Sequence, residues 1–281
     1  MTLAESLKTY KYQLSLCLLL LAGSYFAIIP SMVKDWYTDD NYSHGFIVPL
    51  IAGYFLYERR EDLKKSLVLS WGPGIFLIAA GIVQLLVGWL GSEYFSMRSS
   101  LIVILAGMVL FFFGKEVLRK SLLPIGYLIF MVPIPYIIYD SIAFPLKLFV
   151  TRVSVGALKA IGVVVLREGN IIMFPATTLE VADACSGMRS LVSLIAMAVA
   201  YAFFIKTTNT RRWLIIASAV PIAIFTNALR VFVTGILAQY WGAKAAEGFF
   251  HEFAGMVVFG LAMVMLVAVG ALLGSRGKKS T

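Results

Sequence analysis

Apolar runs of about 18 residues or more recur along this chain, and no other feature constrains its folding as strongly. Runs of that length read as spanning helices rather than core strands. Candidate spans lie at 13–33, 44–58, 73–91, 99–114, 120–138, 186–205, 212–236 and 252–274, of which the second and fourth are short. Composition agrees. Of the 281 residues, 60% are hydrophobic and 14% charged, where a soluble domain carries roughly 25% charged residues. No hydrophilic stretch is long enough for a separate soluble domain, so residues 1–281 read as a single integral membrane domain. The first run is too long for the apolar region of a secretory signal and no small-x-small site follows it, so it is expected to be retained. There is no Gly-rich phosphate loop, Cys pair, heptad array or internal repeat.

The charges fix an orientation. With the N-terminus inside, Lys8, Lys11, Arg59, Arg60, Lys64, Lys65, Lys115, Arg119, Lys120, Lys206, Arg211, Arg212, Arg276, Lys278 and Lys279 fall in cytoplasmic segments, 15 of the 24 basic residues. The others, among them Lys34, Arg98, Lys147, Arg152, Lys159, Arg167 and Lys244, are scattered singles. That is a positive-inside pattern. The net charge of +9 sits in short loops rather than on one soluble face, so no nucleic-acid partner is expected.

Segment 141–166 is apolar enough for a ninth span, yet Lys147, Arg152 and Lys159 recur along it. A charge at the bilayer centre costs at least about 2.5 kcal/mol. The segment therefore reads as an amphipathic helix at the outer interface or packed against the bundle, with the three basic residues near one face. Counting it as a span would put the basic clusters at 206–212 and 276–279 outside. Beyond it, Gly169-Asn170 and Pro175 are turn signals within apolar stretches, which predicts a small outer hairpin leading into Asp183-Ala184-Cys185-Ser186-Gly187-Met188-Arg189. The expected architecture is an all-α polytopic transmembrane bundle of about eight spans, with both termini cytoplasmic.

Several unusual polar residues then share the outer face. Cys185 opens the sixth span after Asp183, a good N-cap, and a thiol at a helix N-terminus beside cations ionises more readily. Arg189 is one turn along. Arg230 lies 17 residues past Trp213, roughly 25 Å up a helix that begins inside. Asn227 is on the same face, three residues before it. His251 precedes the eighth span and is a plausible acid or base near neutral pH. His44, the other of the two histidines, precedes the second span. Each has a plain reading too: Cys185 a packed small residue, Arg230 snorkelling to the interface, His251 an interface residue beside Glu252, His44 a helix-entry residue. Cys17, amid apolar neighbours, shows what the plain reading of a cysteine looks like.

Ala184-Cys185-Ser186-Gly187-Met188-Arg189-Ser190, Asn227-Ala228-Leu229-Arg230, and His251 with Gly255 four residues on resemble the Cys-Arg-His set of exosortases and archaeosortases. Asn41-Tyr42-Ser43-His44-Gly45-Phe46 and Pro133-Ile134-Pro135 resemble the exosortases, the bacterial branch. The similarity covers nearly the whole chain, in order. It implies an integral membrane cysteine transpeptidase in the bacterial inner membrane. Its protein substrates would end in a Pro-Glu-Pro-type motif, a transmembrane helix and a basic tail, and would become surface or exopolysaccharide-associated proteins. Cys185 would be the nucleophile, Arg230 the donor to the oxyanion or leaving group, and His251 an aid to proton transfer. Ser186, Arg189, Asn227 and His44 would support them or bind substrate. The acceptor nucleophile is not implied, and neither a cofactor nor a metal is expected. The alternatives are a polytopic transporter using Arg230 and the histidines, which would place polar residues at mid-bilayer depth on several spans, and another membrane transferase, whose metal-binding forms would want acidic pairs or a His cluster.

Overall fold

Three glycines seven residues apart decide how the longest helices of the N-terminal half meet. Helix α6 (Gly74–Leu90) runs antiparallel to α7 (Tyr94–Tyr127). A Cβ on Gly74 would fall 2.6 Å from the Phe111 nitrogen, one on Gly81 2.5 Å from Ile104 Cγ1, and one on Gly88 2.8 Å from the Met97 nitrogen. From the other side, a Cβ on Gly107 would fall 2.7 Å from the Ile78 nitrogen. Lipid tails are as apolar as the side chains, so two helices in a membrane associate through backbone approach over small residues.

The structure, a computed structural model, describes residues 2–181, 187–205, 207–242 and 249–275, with backbone alone at 4, 249–252 and 275. Its packing divides the chain into two units, Met1–Pro135 and Tyr136–Thr281. The first holds α1 (Leu3–Thr9), α2 (Lys11–Ser24), α3 (Ile28–Thr38), a 3-10 helix (Asp40–Phe46), α4 (Val48–Glu58), α5 (Arg60–Lys64), α6, α7 and a 3-10 turn (Leu128–Met131). The Glu93 side chain caps α7 by accepting from the amides of Phe95 and Ser96 at 3.0 and 2.7 Å. Burial pushes the Glu93 carboxyl up, but these bonds and the nearby Arg98 outweigh it and hold it below the usual glutamate value. Arg98, expected among the scattered singles, is buried and paired with Asp35 at 2.6 Å, with Ser31 Oγ 3.2 Å away.

Near the boundary predicted between the spans 99–114 and 120–138, α7 leaves helical geometry at Gly114 (φ 85°, ψ −177°). Only glycine takes that conformation at no steric cost. The segment ahead of α6 fills the break: the Trp71 amide donates to the Phe111 carbonyl at 3.2 Å, and Lys115 lies 4.0 Å over the Trp71 ring.

The second unit holds α8 (Tyr136–Ala160), strands β1 (Leu166–Glu168), β2 (Ile171–Met173) and β3 (Thr178–Glu180), and helices α9 (Met188–Phe204), α10 (Asn209–Trp241) and α11 (Phe249–Ser275). The strands form an antiparallel sheet in the order β1-β2-β3. The expected hairpin is there, extended by a third strand, with turns at Gly169-Asn170 and Pro175-Ala176. Val165, Ile172, Phe174 and Val181 of this region pack with Val150 and Leu158 of α8 and Val231 of α10. A second core joins α9, α10 and α11 through Leu194, Ala198, Ala202, Ile215, Ala219, Ala262 and Leu266. The alanines at this seam let the helices close up.

By length and composition four described helices can cross a membrane: Tyr94–Met131, Tyr136–Ala160, Asn209–Trp241 and Phe253–Gly274. Lys11–Ser24 and Ile28–Thr38 add a fifth if the pair, bent by 57°, is one span. This is an all-α membrane architecture, with four or five such helices among the described residues. At 11 residues, α4 is only about 16 Å long, half the apolar thickness of a bilayer. Helix α8 also departs from expectation. It is long and apolar enough to cross, and its basic residues do not share a face: Arg152 and Lys159 are exposed, while Lys147 is half-buried. Five residues advance a helix by about 140° beyond a full turn, which separates Lys147 from Arg152.

Candidate active site

Two of the expected site residues, Asn227 and Arg230, share one turn of α10. Asn227 is buried and Arg230 half-buried, three residues apart on that helix. Ser154 of α8 donates to the Ala228 carbonyl at 3.0 Å and so ties a neighbouring helix to the same turn. Thr226, also buried, returns its hydroxyl to the Ile222 carbonyl at 2.9 Å, leaving no polar demand on its side of the helix.

Two glycines bring the flanking helices onto this turn. Gly187 is the N-cap of α9, with φ 83° and ψ −5° in the left-handed region. A Cβ there would fall 2.7 Å from Asn227 Nδ2, so the Asn227 amide lies directly on the Gly187 backbone. On the other side, a Cβ on Gly255 would fall 3.2 Å from Arg230 Nη2 and 3.4 Å from its Cζ. The guanidinium thus rests on α11. Gly187 stands two residues after Cys185 in the chain and Gly255 one turn after His251, so α10 meets both flanking segments within three residues of its own sequence.

Cys185 and Ser186 lie outside the described residues, and for His251 the structure describes the helical backbone alone. Arg189, in the first turn of α9, is exposed. The expected cap is corrected: α9 begins at Met188 and is capped by Gly187, not Asp183. Asp183 and Cys185 themselves lie outside the described residues. Helix α10 also runs past the expected end at 236 to Trp241, which leaves Arg230 about 16 Å short of its C-terminal end.

His44 belongs to the first unit, where its ring meets the backbone that follows α7. Its Nε2 is 3.1 Å from the Phe130 carbonyl oxygen. A carbonyl only accepts, so Nε2 carries a hydrogen. Trp36 Nε1 donates to the Met131 carbonyl at 2.8 Å and Tyr42 to the Ile134 carbonyl at 3.2 Å. His44 and Trp36 take up carbonyls of the 3-10 turn that lack helical partners, and Tyr42 takes up a carbonyl just beyond it. They fasten Asn41–Phe46 to the stretch that ends in Pro133-Ile134-Pro135. Gly45 makes room, since a Cβ there would fall 2.5 Å from Trp36 Nε1.

The sequence reading did not single out Ser154, Trp36 or the packing role of Gly187. For Gly187 a signal was present, because Ser-Gly is a turn dipeptide.

Fold and site together define a polytopic helical membrane protein with a polar Asn-Arg turn set between packed helices. The chain belongs to the transmembrane exosortase family, whose model matches residues 36–268 and so runs through both units. No curated protein and no solved structure matches it.

Proposed function

We propose that this chain is a membrane-embedded cysteine transpeptidase. Its substrates are exported proteins whose C-terminal sorting signal combines a Pro-Glu-Pro-type motif, a transmembrane helix and a basic tail. The Cys185 thiolate adds to the scissile carbonyl, and Arg230 donates to the oxyanion that forms. His251 gives a proton to the departing amine as the C–N bond breaks, which leaves an acyl-thioester on Cys185. An acceptor nucleophile then adds to the thioester, the C–S bond breaks, and His251 takes the acceptor's proton while the thiolate is restored. Donors aimed at a developing oxyanion in a water-poor site contribute several kcal/mol.

The observation that carries this reading is the double approach to α10, Gly187 against Asn227 and Gly255 against Arg230. The chain flanking Cys185 and the helix bearing His251 meet the arginine's turn from two sides. Membership of the exosortase family supports the same class of chemistry.

The deciding experiment follows a tagged substrate by gel shift. Cys185→Ala, which removes little volume, stops processing while the protein remains inserted, and Cys185→Ser is nearly inactive because a hydroxyl does not ionise under the same influence. Normal processing by Cys185→Ala overturns the reading and favours a transporter. The orientation proposed with it has both termini and Lys64 in the cytoplasm, and Lys34, Arg167 and Lys244 with the active site on the periplasmic side. Labelling in intact cells of a cysteine placed at Lys64 overturns that orientation.

A further inference from the structure

Strand β3 has one paired side and one open side. In the order β1-β2-β3 it is an edge strand. Two bonds fix its phase: the Phe174 amide donates to the Thr177 carbonyl at 2.8 Å, and the Val181 amide to the Asn170 carbonyl at 3.0 Å. Residues 177 and 181 therefore turn their backbone groups toward β2, and Leu179, paired with Ile172, does the same. Thr178 and Glu180 turn their N–H and C=O groups the other way. Both residues are exposed, and their outward groups take part in no backbone hydrogen bond among the described residues.

This edge is firmly seated. Leu179 and Val181 are packed with Ile172 and Phe174 against Val150, Leu158 and Val231. It also leads toward the proposed nucleophile, since Cys185 follows Glu180 by five residues, no more than about 18 Å of chain. Backbone donors and acceptors two residues apart on a fixed edge match the backbone of another extended chain, whatever its side chains. A scissile peptide bond must itself be extended to be attacked, because a helix shields its carbonyls in its own hydrogen bonds.

We propose that an extended segment of the polypeptide substrate, next to its scissile bond, pairs with Thr178 and Glu180 as a fourth strand beside β3. The inference rests on the transpeptidase reading and specifies how that enzyme holds its peptide.

The test uses the full chain carrying Cys17→Ala, so that Cys185 is the one remaining cysteine. The substrate is a synthetic peptide with a Pro-Glu-Pro segment ahead of an apolar helix. Thr178→Pro and Glu180→Pro each remove one outward N–H and set a ring where the incoming strand would lie, while the bonds to β2 stay. They are expected to lower kcat/KM about tenfold, mainly through KM. Thr178→Ala and Glu180→Ala keep the outward N–H groups and are expected to lose less kcat/KM than their proline counterparts. Alkylation of Cys185 by iodoacetamide proceeds at the same rate in all four. Normal cleavage by both proline variants overturns the edge proposal and leaves the transpeptidase reading intact, whereas processing by Cys185→Ala overturns the reading beneath it. If a proline change disturbs alkylation, the unaltered strand decides, with peptides N-methylated at one residue at a time upstream of the cleaved bond. Loss at every second residue supports strand pairing, and equal tolerance or equal loss along the peptide refutes it.

Discussion

The guanidinium of Arg230 rests on the backbone of Gly255, and a single added carbon at position 255 would reach to 3.2 Å from its Nη2. The arginine's position is therefore set by the absence of a side chain on another helix. Gly255→Ala is expected to shift the guanidinium by a few tenths of an ångström and slow processing severalfold. Gly255→Val displaces it further and costs on the order of 100-fold, the usual penalty for an ångström of misplacement. Arg230→Lys keeps the charge but loses the planar fork, and is expected to fall by about 100-fold or more. Initial rates of substrate shift, normalised to inserted protein, measure all three.

Gly187 carries a conformational and a steric demand at once. Gly187→Ala forces a side chain into φ 83° and drives its Cβ to 2.7 Å from Asn227 Nδ2. Left-handed strain at a non-glycine residue costs about 1–3 kcal/mol, and the clash adds to it. Asn227→Ala removes the clash alone, so the double variant is expected to be more stable than the two single losses sum to. Thermal unfolding in detergent measures the coupling, and strict additivity refutes the contact.

His44 is expected to tolerate Gln better than Asn or Ala. The Gln amide nitrogen reaches about where Nε2 stands and donates to the Phe130 carbonyl, whereas Asn is too short. Loss of this bond costs about 1 kcal/mol. Thermal unfolding of the three variants measures this, and equal loss in His44→Gln and His44→Ala counts against it.

Glu93 gives the fold an acid-sensitive cap. Its carboxyl is held below the usual glutamate value in the folded chain. The stability it contributes is therefore fully present above the unfolded pKa, about 4.3, and is lost as pH falls through the lower folded value. Removing the cap costs about 1 kcal/mol. Glu93→Gln is expected to flatten the dependence of unfolding temperature on pH between about 5 and 3, and an unchanged slope argues against the cap.

How much of this the sequence revealed depends on the range of each interaction. The apolar runs announced the helices because burial in lipid is read residue by residue, and Gly169-Asn170 and Pro175 announced the turns of the sheet because backbone preferences are local. Arg230 and Asn227 stood out because polar groups in an apolar run are costly wherever they point. Helix ends were less legible. Asp183 has the chemistry of a cap, yet Gly187 is the cap because its left-handed backbone and its contact with Asn227 are decided by a helix 40 residues on. Ser154 gave no signal, since a serine hydroxyl bonds a distant carbonyl as readily as its own helix. The boundary between the spans 99–114 and 120–138 was legible near Gly114, but the filling of that break by Trp71 was not, because it depends on a loop that closes only in the folded chain.

The glycine seam between α6 and α7 makes the first unit intolerant of changes in chain length. Seven residues fall about 20° short of two full turns, so Gly74, Gly81 and Gly88 drift only slightly around α6 and keep one line of contact. One residue inserted between Gly74 and Gly88 would rotate every later glycine by about 100° and bring whole side chains to positions where a Cβ already falls within 3 Å of α7. A residue inserted in the connector Gly91–Glu93, outside the seam, is expected to be tolerated where one inserted between Gly74 and Gly88 is not.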